Sequence, residues 1–219
     1  MKMRKVKILF GAILLLFGVH ASFAEKAFGF DIGEKVHWSE NGRPYNAHCF
    51  AASLDFSGET FGIKPFFSFS FSTINASNMN NSTVTYNYKD TTFVETLGIK
   101  PYFIFRKGES SNSYIGLLFA LNFNQKELET TKVTANGTDI TQNYTTGELG
   151  LFVGNKWHAS EKCTVFAECD FSSRLFASTS TYELGGKSVE NYQSGMFGGG
   201  GTSSWSLYVT PRLGIAYRW

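Results

Sequence analysis

Apolar and polar residues alternate along most of this chain, and this two-residue period constrains the fold more than any other feature. Phe67, Phe69 and Phe71, for example, alternate with Ser68 and Ser70. Successive side chains of a β-strand point to opposite faces, so the period predicts strands with one oily and one polar face. Eight segments carry it, at 28–38, 49–56, 61–71, 92–106, 114–123, 148–157, 164–174 and 204–219. The chain is therefore expected to be all-β.

The segment lengths and their connections favour a membrane barrel. Each segment is near the roughly 9–11 residues that a tilted strand needs to cross a bilayer. Short connections at 57–59, 107–112 and 158–161 alternate with long ones at 73–90, 124–143 and 178–203, and the first, at 39–46, is intermediate. Short turns on one side and long loops on the other are typical of transmembrane barrels. The mean hydropathy of −0.14 excludes a bundle of membrane helices, since each span would need about 20 apolar residues.

The placement of glycine and tryptophan indicates which face points outward. A soluble sandwich would bury the Phe-rich face, whereas a membrane barrel turns it toward lipid. The polar face is rich in glycine, which fits a crowded lumen, and all four Trp fall on the apolar face at strand ends. Trp38 and Trp205 would mark the long-loop interface, and Trp157 and Trp219 the short-turn interface, because indoles prefer that depth. We predict an eight-stranded antiparallel up-and-down transmembrane β-barrel with short periplasmic turns and longer extracellular loops.

The first 24 residues have the pattern of a cleavable export signal. Lys2, Arg4, Lys5 and Lys7 precede an apolar run of 12 residues, too short to span a membrane, and small residues follow it. The expected domains are a signal peptide at 1–24 and a barrel at 25–219. Without the signal, 16 basic residues face 18 acidic ones and the net charge is −2. This balance gives no reason to expect a nucleic-acid partner.

Charged residues at polar-face positions predict an ionic network in the barrel interior. Arg212 is expected at the same depth as Asp31, Glu168 and Asp170, with carboxylates on both sides. Buried ions must be paired, because an unpaired charge in a low dielectric costs several kcal/mol. The network could be a structural plug of salt bridges, or it could line a narrow or gated conduit. The full predicted set is Asp31, Lys35, Lys64, Lys100, Arg106, Glu148, Lys156, Glu168, Asp170, Arg174 and Arg212.

The C-terminal strand carries a family resemblance. Leu213, Ile215, Tyr217 and the terminal Trp219 resemble the C-terminal signal by which bacterial outer-membrane barrels engage the barrel-assembly machinery. The mature chain as a whole resembles the small barrels of the OmpX, OmpA membrane-domain and OmpW type. The resemblance implies a location in the bacterial outer membrane. Lipids of that membrane, including lipopolysaccharide-like lipids, are the implied partners.

Function is less constrained by the sequence than architecture is. The favoured expectation is a non-enzymatic, structural or surface-interaction role, in which extracellular loops contact host molecules or neighbouring cells. Transport of a small, possibly hydrophobic solute, as in OmpW-like barrels, is the alternative. A lipid A-modifying enzyme is less favoured, because its His158 and Ser160 fall in a predicted periplasmic turn. No metal or cofactor is expected, since His37, His48 and His158 are dispersed.

Overall fold

Eleven β-strands make up the chain where the computed structural model describes it. The described residues are 25–39, 45–81, 84–132, 135–177, 180–184, 187–191, 195–196 and 206–219. The predicted signal peptide at 1–24 lies outside them, as does Trp205. The strands are β1 (Glu25–Ser39), β2 (Tyr45–Ser57), β3 (Phe61–Asn81), β4 (Val84–Lys107), β5 (Ser111–Lys132), β6 (Ala135–His158), β7 (Cys163–Ala177), β8 (Ser180–Leu184), β9 (Lys187–Asn191), β10 (Gly195–Met196) and β11 (Ser206–Arg218).

Eight of these strands close into a ring. Strands β1 to β7 pair with their sequence neighbours, all antiparallel, and β11 closes the ring by pairing with both β7 and β1. The short strands β8 and β9 form a hairpin, β8 pairs antiparallel with β6, and β10 pairs with the end of β7. The predicted up-and-down antiparallel barrel is thus confirmed. Within the described ranges, no helix has the length and apolar character to cross a membrane.

The two faces of the wall are chemically opposite. Large apolar side chains cover the outside, and Phe30, Ile32, Leu213 and Ile215 are each more than half exposed. Serines, threonines and ionised groups fill the inside instead. The predicted orientation, with the apolar face outward, is confirmed, and a closed ring satisfies its backbone hydrogen bonds without a free edge.

One polar pair interrupts this apolar belt. Glu34 and His48 occupy outward positions on β1 and β2, 3.1 Å apart between Oε1 and Nδ1. The ring of His48 also lies 5.3 Å from that of Phe71, between centroids. Both polar side chains are about half exposed.

The prediction of long loops at 73–90 and 124–143 is wrong, because both segments form β-hairpins. The pairing of β3 with β4 continues to Asn81 and Val84, and that of β5 with β6 continues to Lys132 and Ala135. On β5, nine residues follow Phe123, the last aromatic of the apolar belt on that strand, which corresponds to roughly 30 Å of extended chain. The barrel wall therefore continues well beyond the apolar belt on this side. The predicted short turns are confirmed at 58–60, 108–110 and 159–162.

Three prolines coincide with local gaps in the strand pairing. Opposite Pro65, the pairing of β2 with β3 stops after Ser53 and resumes at Phe56 in the same register. The β4–β5 ladder skips Pro101 in the same way, and the β1–β11 ladder skips Pro211. A proline has no N–H to donate to a neighbouring strand. Each of these prolines interrupts only one of the two ladders of its strand.

Candidate functional site

Glu168 on β7 lies at the centre of the barrel interior. Its Oε1 accepts hydrogen bonds from Lys64 Nζ and, at 2.8 Å, from the Tyr114 hydroxyl, while Oε2 lies 2.8 Å from Lys100 Nζ. The side chain is 1% exposed. Because β3, β4, β5 and β7 all contribute to this group, the carboxylate ties together strands from opposite sides of the ring.

Arg212 on β11 bridges two carboxylates. Its Nη1 lies 2.8 Å from Asp31 Oδ1, and its Nε lies 2.9 Å from Asp170 Oδ2. Asp170 also accepts a bond from Lys100 Nζ at 2.6 Å. The guanidinium fork therefore connects β1, β11 and β7, and Lys100 joins this group to Glu168.

Asp55 on β2 anchors the short-turn end of the network, and sequence reasoning missed it. The carboxylate lies 2.6 Å from Lys156 Nζ and accepts a 2.6 Å bond from the Tyr102 hydroxyl. Lys156 Nζ also donates to the Tyr102 oxygen at 2.8 Å, so the three groups form a closed triangle. The available signal was the position of Asp55, which follows Ser53 on the inward face of β2.

Glu148 on β6 forms the layer nearest the long hairpins. It pairs with Lys35 Nζ and accepts bonds from Asn122 Nδ2 at 2.8 Å and from Ser172 Oγ at 3.1 Å. Asn122 additionally accepts a 2.7 Å bond from Thr96 Oγ1. This layer is held by neutral polar groups as well as by charge.

Aromatic rings fill the space between the ionic groups. Tyr102, Tyr114 and Phe152 are no more than 1% exposed and pack on one another, with ring centroids 5.0 to 6.2 Å apart. Lysine ammonium groups lie over several of these faces, as Lys100 Nζ does at 4.9 Å from the Phe152 centroid. Glycine makes room for the rings: a Cβ built on Gly62 would lie 2.2 Å from the Tyr102 ring.

The interior cluster is electrically neutral. Five cations meet five carboxylates, each in at least one ion pair, and we call these ten residues the charge plug. They are Lys35, Lys64, Lys100, Lys156 and Arg212 with Asp31, Asp55, Glu148, Glu168 and Asp170. An eight-stranded barrel has an interior just wide enough for side chains. Neutral pairing and ring packing therefore suit the plug to hold the barrel together and to block passage.

Two predicted members of the network lie elsewhere. Arg106 is exposed at the short-turn end of β4, because a register shift between Ile104 and Arg106 breaks the inward alternation. The prediction that Arg106 faces the lumen network is therefore wrong. Arg174 faces the interior, but above the plug, where it lines a cavity together with Lys35 and Glu148.

The predicted anchors and assembly residues all point outward where they are described. Trp38, Trp157 and Trp219 are 38%, 42% and 61% exposed, and Leu213, Ile215 and Tyr217 are more than half exposed. Their side chains are thus available to lipid or to another protein. Trp205 lies outside the described residues.

His158 and Ser160 make contacts that hold a turn together. Ser160 Oγ accepts backbone N–H bonds from Lys162 and Cys163 at 3.3 and 3.0 Å. The His158 ring contacts Asn112 and Thr164 at 3.3 and 3.4 Å. Neither contact brings the imidazole to the hydroxyl, as an activated serine would require.

The other residues considered as metal ligands do not form a cluster among the described residues. All three cysteines are free, with Cys49 buried and Cys163 and Cys169 partly exposed. No group of three or more His, Cys, Asp or Glu suited to a metal occurs in the part of the chain that the structure describes.

Solved structures with the same architecture are outer-membrane proteins. A major outer membrane protein from Thermus thermophilus superposes with a TM-score of 0.51 at 14% identity, over 88% of this chain and 99% of that one. The fold is that of a small bacterial outer-membrane β-barrel. Its apolar belt faces the lipid of that membrane, where barrels of this kind reside.

Two further solved structures superpose less closely. Ail, the attachment invasion locus protein of Yersinia pestis, gives a TM-score of 0.47 at 10% identity, over 89% of this chain and 98% of that one. Neisserial surface protein A gives 0.42 at 8% identity, over 87% and 96%. Neither a family model nor a curated protein sequence matches the chain.

Proposed function

We propose that this outer-membrane barrel is a sealed, non-enzymatic scaffold that holds two long β-hairpins outside the cell for contact with host molecules or neighbouring cells. The observation that carries the proposal is the combination of a blocked interior with a wall that continues beyond the membrane. Strands β3 to β6 each have 21 to 24 residues, about twice the roughly 9–11 that a bilayer requires.

The length of the hairpins supports a role outside the membrane. Residues that neither face lipid nor fill the lumen add nothing to the membrane-embedded barrel. Yet the ladders continue to the pairs Asn81–Val84 and Lys132–Ala135, and β4 pairs with β5 as far as Tyr86 and Lys132. Four adjacent strands thus form one continuous raised sheet. A preordered surface loses less conformational entropy on binding than a flexible loop does.

The charge plug argues against conduction. A solute would have to separate ion pairs such as Lys100–Asp170 and Arg212–Asp31, whose side chains are at most 8% exposed. Breaking a buried pair costs about 3–5 kcal/mol. The interior is thus better suited to rigidity than to passage.

Trimming the hairpins tests the proposal. Asn-Gly replaces 75–89, joining the paired residues Ile74 and Asp90, and replaces 128–140, joining the paired residues Glu127 and Thr141. Asn-Gly is the preferred two-residue hairpin turn. Wild type and trimmed barrels are displayed on a non-adherent bacterial host, with heat-modifiable gel migration as the check on folding.

We expect display of the wild type to increase adhesion to cultured host cells or aggregation between bacteria, and the trimmed variant to lose the increase. Equal adhesion by folded trimmed barrels, or none by the wild type, would overturn the surface-contact role. Reproducible openings of the wild type in planar bilayers would instead support the transport alternative, particularly if changing Arg212 abolished them.

A further inference from the structure

A small cavity opens above the charge plug, on the side of the long hairpins. It has a volume of about 120 Å³, and its floor is formed by Lys35 and Glu148. Asp90, Lys126 and Tyr144 line its rim, at the bases of the two hairpins. We call this cavity the vestibule. Because the plug closes it below, it is a dead end that can be entered from the hairpin side.

The charges of the vestibule do not balance. Its ionisable lining consists of Lys35, His37, Asp90, Lys126, Glu148, Arg174, Tyr144 and Tyr208. Lys35 pairs with Glu148, and Lys126 lies 2.7 Å from Asp90. Among the described residues, these two pairs use both carboxylates, and Arg174 is left as the surplus cation.

Glu148 faces Arg174 in the β6–β7 ladder, but the ion pair that its carboxylate makes is with Lys35. Its oxygens already accept bonds from Lys35, Asn122 and Ser172. Surplus positive charge in a cleft with low-dielectric walls produces a focused field that attracts anions. The guanidinium also carries paired N–H donors that match the geometry of a carboxylate or a phosphate.

Polar side chains in the lining of the vestibule complete a binding surface. The ring of Tyr208 stacks on that of His37 at 4.7 Å, and Lys35 Nζ lies 4.3 Å from the Tyr208 centroid. Asn124 and Thr146 line the wall and contact each other at 3.3 Å. Hydroxyl and amide groups at these positions can bond to polar atoms next to a bound anion.

We propose that the vestibule binds the oxyanion group of a molecule arriving from outside the cell, with Arg174 as the principal ligand. The group is a carboxylate or a phosphate, since a cavity of about 120 Å³ admits only a small group. This inference rests on the proposed function, because it assumes that the hairpin side faces the exterior. It deepens that function by assigning the surface contact a chemical class of ligand.

Titration of the complete barrel tests the site. The purified protein in uncharged maltoside micelles is titrated with inorganic phosphate and, separately, with acetate, and binding is followed by NMR and calorimetry. We expect saturable binding of at least one anion, with shifts at Thr146 and Tyr208 and little change at the short-turn end. The comparison of the two anions shows whether phosphate or carboxylate is the preferred group.

Matched arginine variants make the result specific. Arg174→Gln should weaken binding at least tenfold, and Arg174→Lys should weaken it less, because charge is kept while the fork is lost. Arg106→Gln removes an arginine that is exposed at the opposite end and should bind like the wild type. Each variant is checked for heat-modifiable migration, and the wild-type shifts remain decisive if Arg174→Gln does not fold.

Three outcomes would overturn the proposal: no saturable binding by the wild type, unchanged binding by folded Arg174→Gln, or an equal loss in Arg106→Gln. None of these outcomes affects the hairpin experiment, so the adhesion test remains valid if the vestibule does not bind anions. Loss of adhesion by the trimmed barrel together with normal anion binding would show that adhesion depends on the hairpins while anion binding does not.

Discussion

Among single residues, Glu168 is almost fully buried and bonds to side chains of three other strands. Replacing it with glutamine keeps the shape but leaves Lys64 and Lys100 without the charge that both contact. Breaking a buried ion pair by removing one partner destabilises a protein by about 3–5 kcal/mol. We expect Glu168→Gln to lower the free energy of unfolding by that amount, measured as a shift of the urea transition in detergent micelles.

The control is Glu161→Gln, which makes the same chemical change in an exposed turn. Surface substitutions are usually within about 0.5 kcal/mol of neutral, so its transition should match the wild type. If the two variants had the same urea transition, the buried ion pairs of Glu168 would contribute nothing measurable to stability.

Gly62 tests the packing of rings in the plug. A Cβ at this position would lie 2.2 Å from the Tyr102 ring, so Gly62→Ala must displace the ring and with it the bond to Asp55. Overpacking of a filled core costs about 1–3 kcal/mol, and we expect a loss of stability of that size. Gly58→Ala serves for comparison, because its nearest contact is 3.5 Å away. A stable Gly62→Ala barrel would mean that the ring can move freely.

What the sequence reveals about single residues depends on how regular the backbone is. Alternation along β11 and β7 puts Arg212 on the same face as its carboxylates, and the structure has it bonded to Asp31 and Asp170. Alternation misplaces Arg106, because a bulge consumes one residue. Alternation also does not identify the partners of Asp55. The stagger of the strands around the ring decides which side chains meet across the lumen.

At the level of strands, the membrane-embedded part is predictable and the hairpins are not. The oily face marks each segment because lipid demands apolar residues there. Beyond the belt, lipid no longer selects apolar residues for one face, so segments 73–81 and 124–132 lose the two-residue pattern although their backbones stay paired. Serine, threonine and asparagine then look like loop residues. The ladder continues through the backbone pairing of neighbouring strands, which composition does not record.

The last strand, β11, provides a test that separates stability from assembly. The Trp219 side chain is 61% exposed, and its backbone N–H donates to Lys26 at 3.1 Å, a bond that does not need the indole. We expect Trp219→Ala to refold in detergent with wild-type yield but to reach the outer membrane in several-fold lower amounts. Trp157→Ala removes an outward indole from β6 and should reach the membrane normally. Equal loss in both variants would point to interfacial anchoring rather than an assembly signal.

At the scale of the whole molecule, the charge plug exists only when the ring is closed. Its carboxylates come from β1, β2, β6 and β7, and its cations come from β1, β3, β4, β6 and β11. Apart from the pairs of Arg212 and the 3.9 Å contact of Lys64 with Asp55, its ion pairs join strands that are not neighbours in the wall. These pairs across the lumen form only when the wall has curled into a ring, which makes the interior a cooperative feature of the finished barrel.

This cooperativity gives a prediction about passage through the barrel. The double variant Lys64→Ser with Glu168→Ser removes one cation and one anion, so the interior stays neutral while two long side chains leave its centre. Water can then fill the vacated space between polar groups. We expect small, reproducible conductance steps in planar bilayers, whereas the wild type shows none.

The matched control removes a neutral pair above the plug instead. Asp90→Ser with Lys126→Ser takes away the 2.7 Å ion pair at the rim of the vestibule and leaves all ten plug residues in place. If the plug is the seal, this barrel must remain closed, because the vestibule is already open on the hairpin side. Openings in the control, or a closed Lys64/Glu168 variant that still folds, would place the barrier at another level of the barrel.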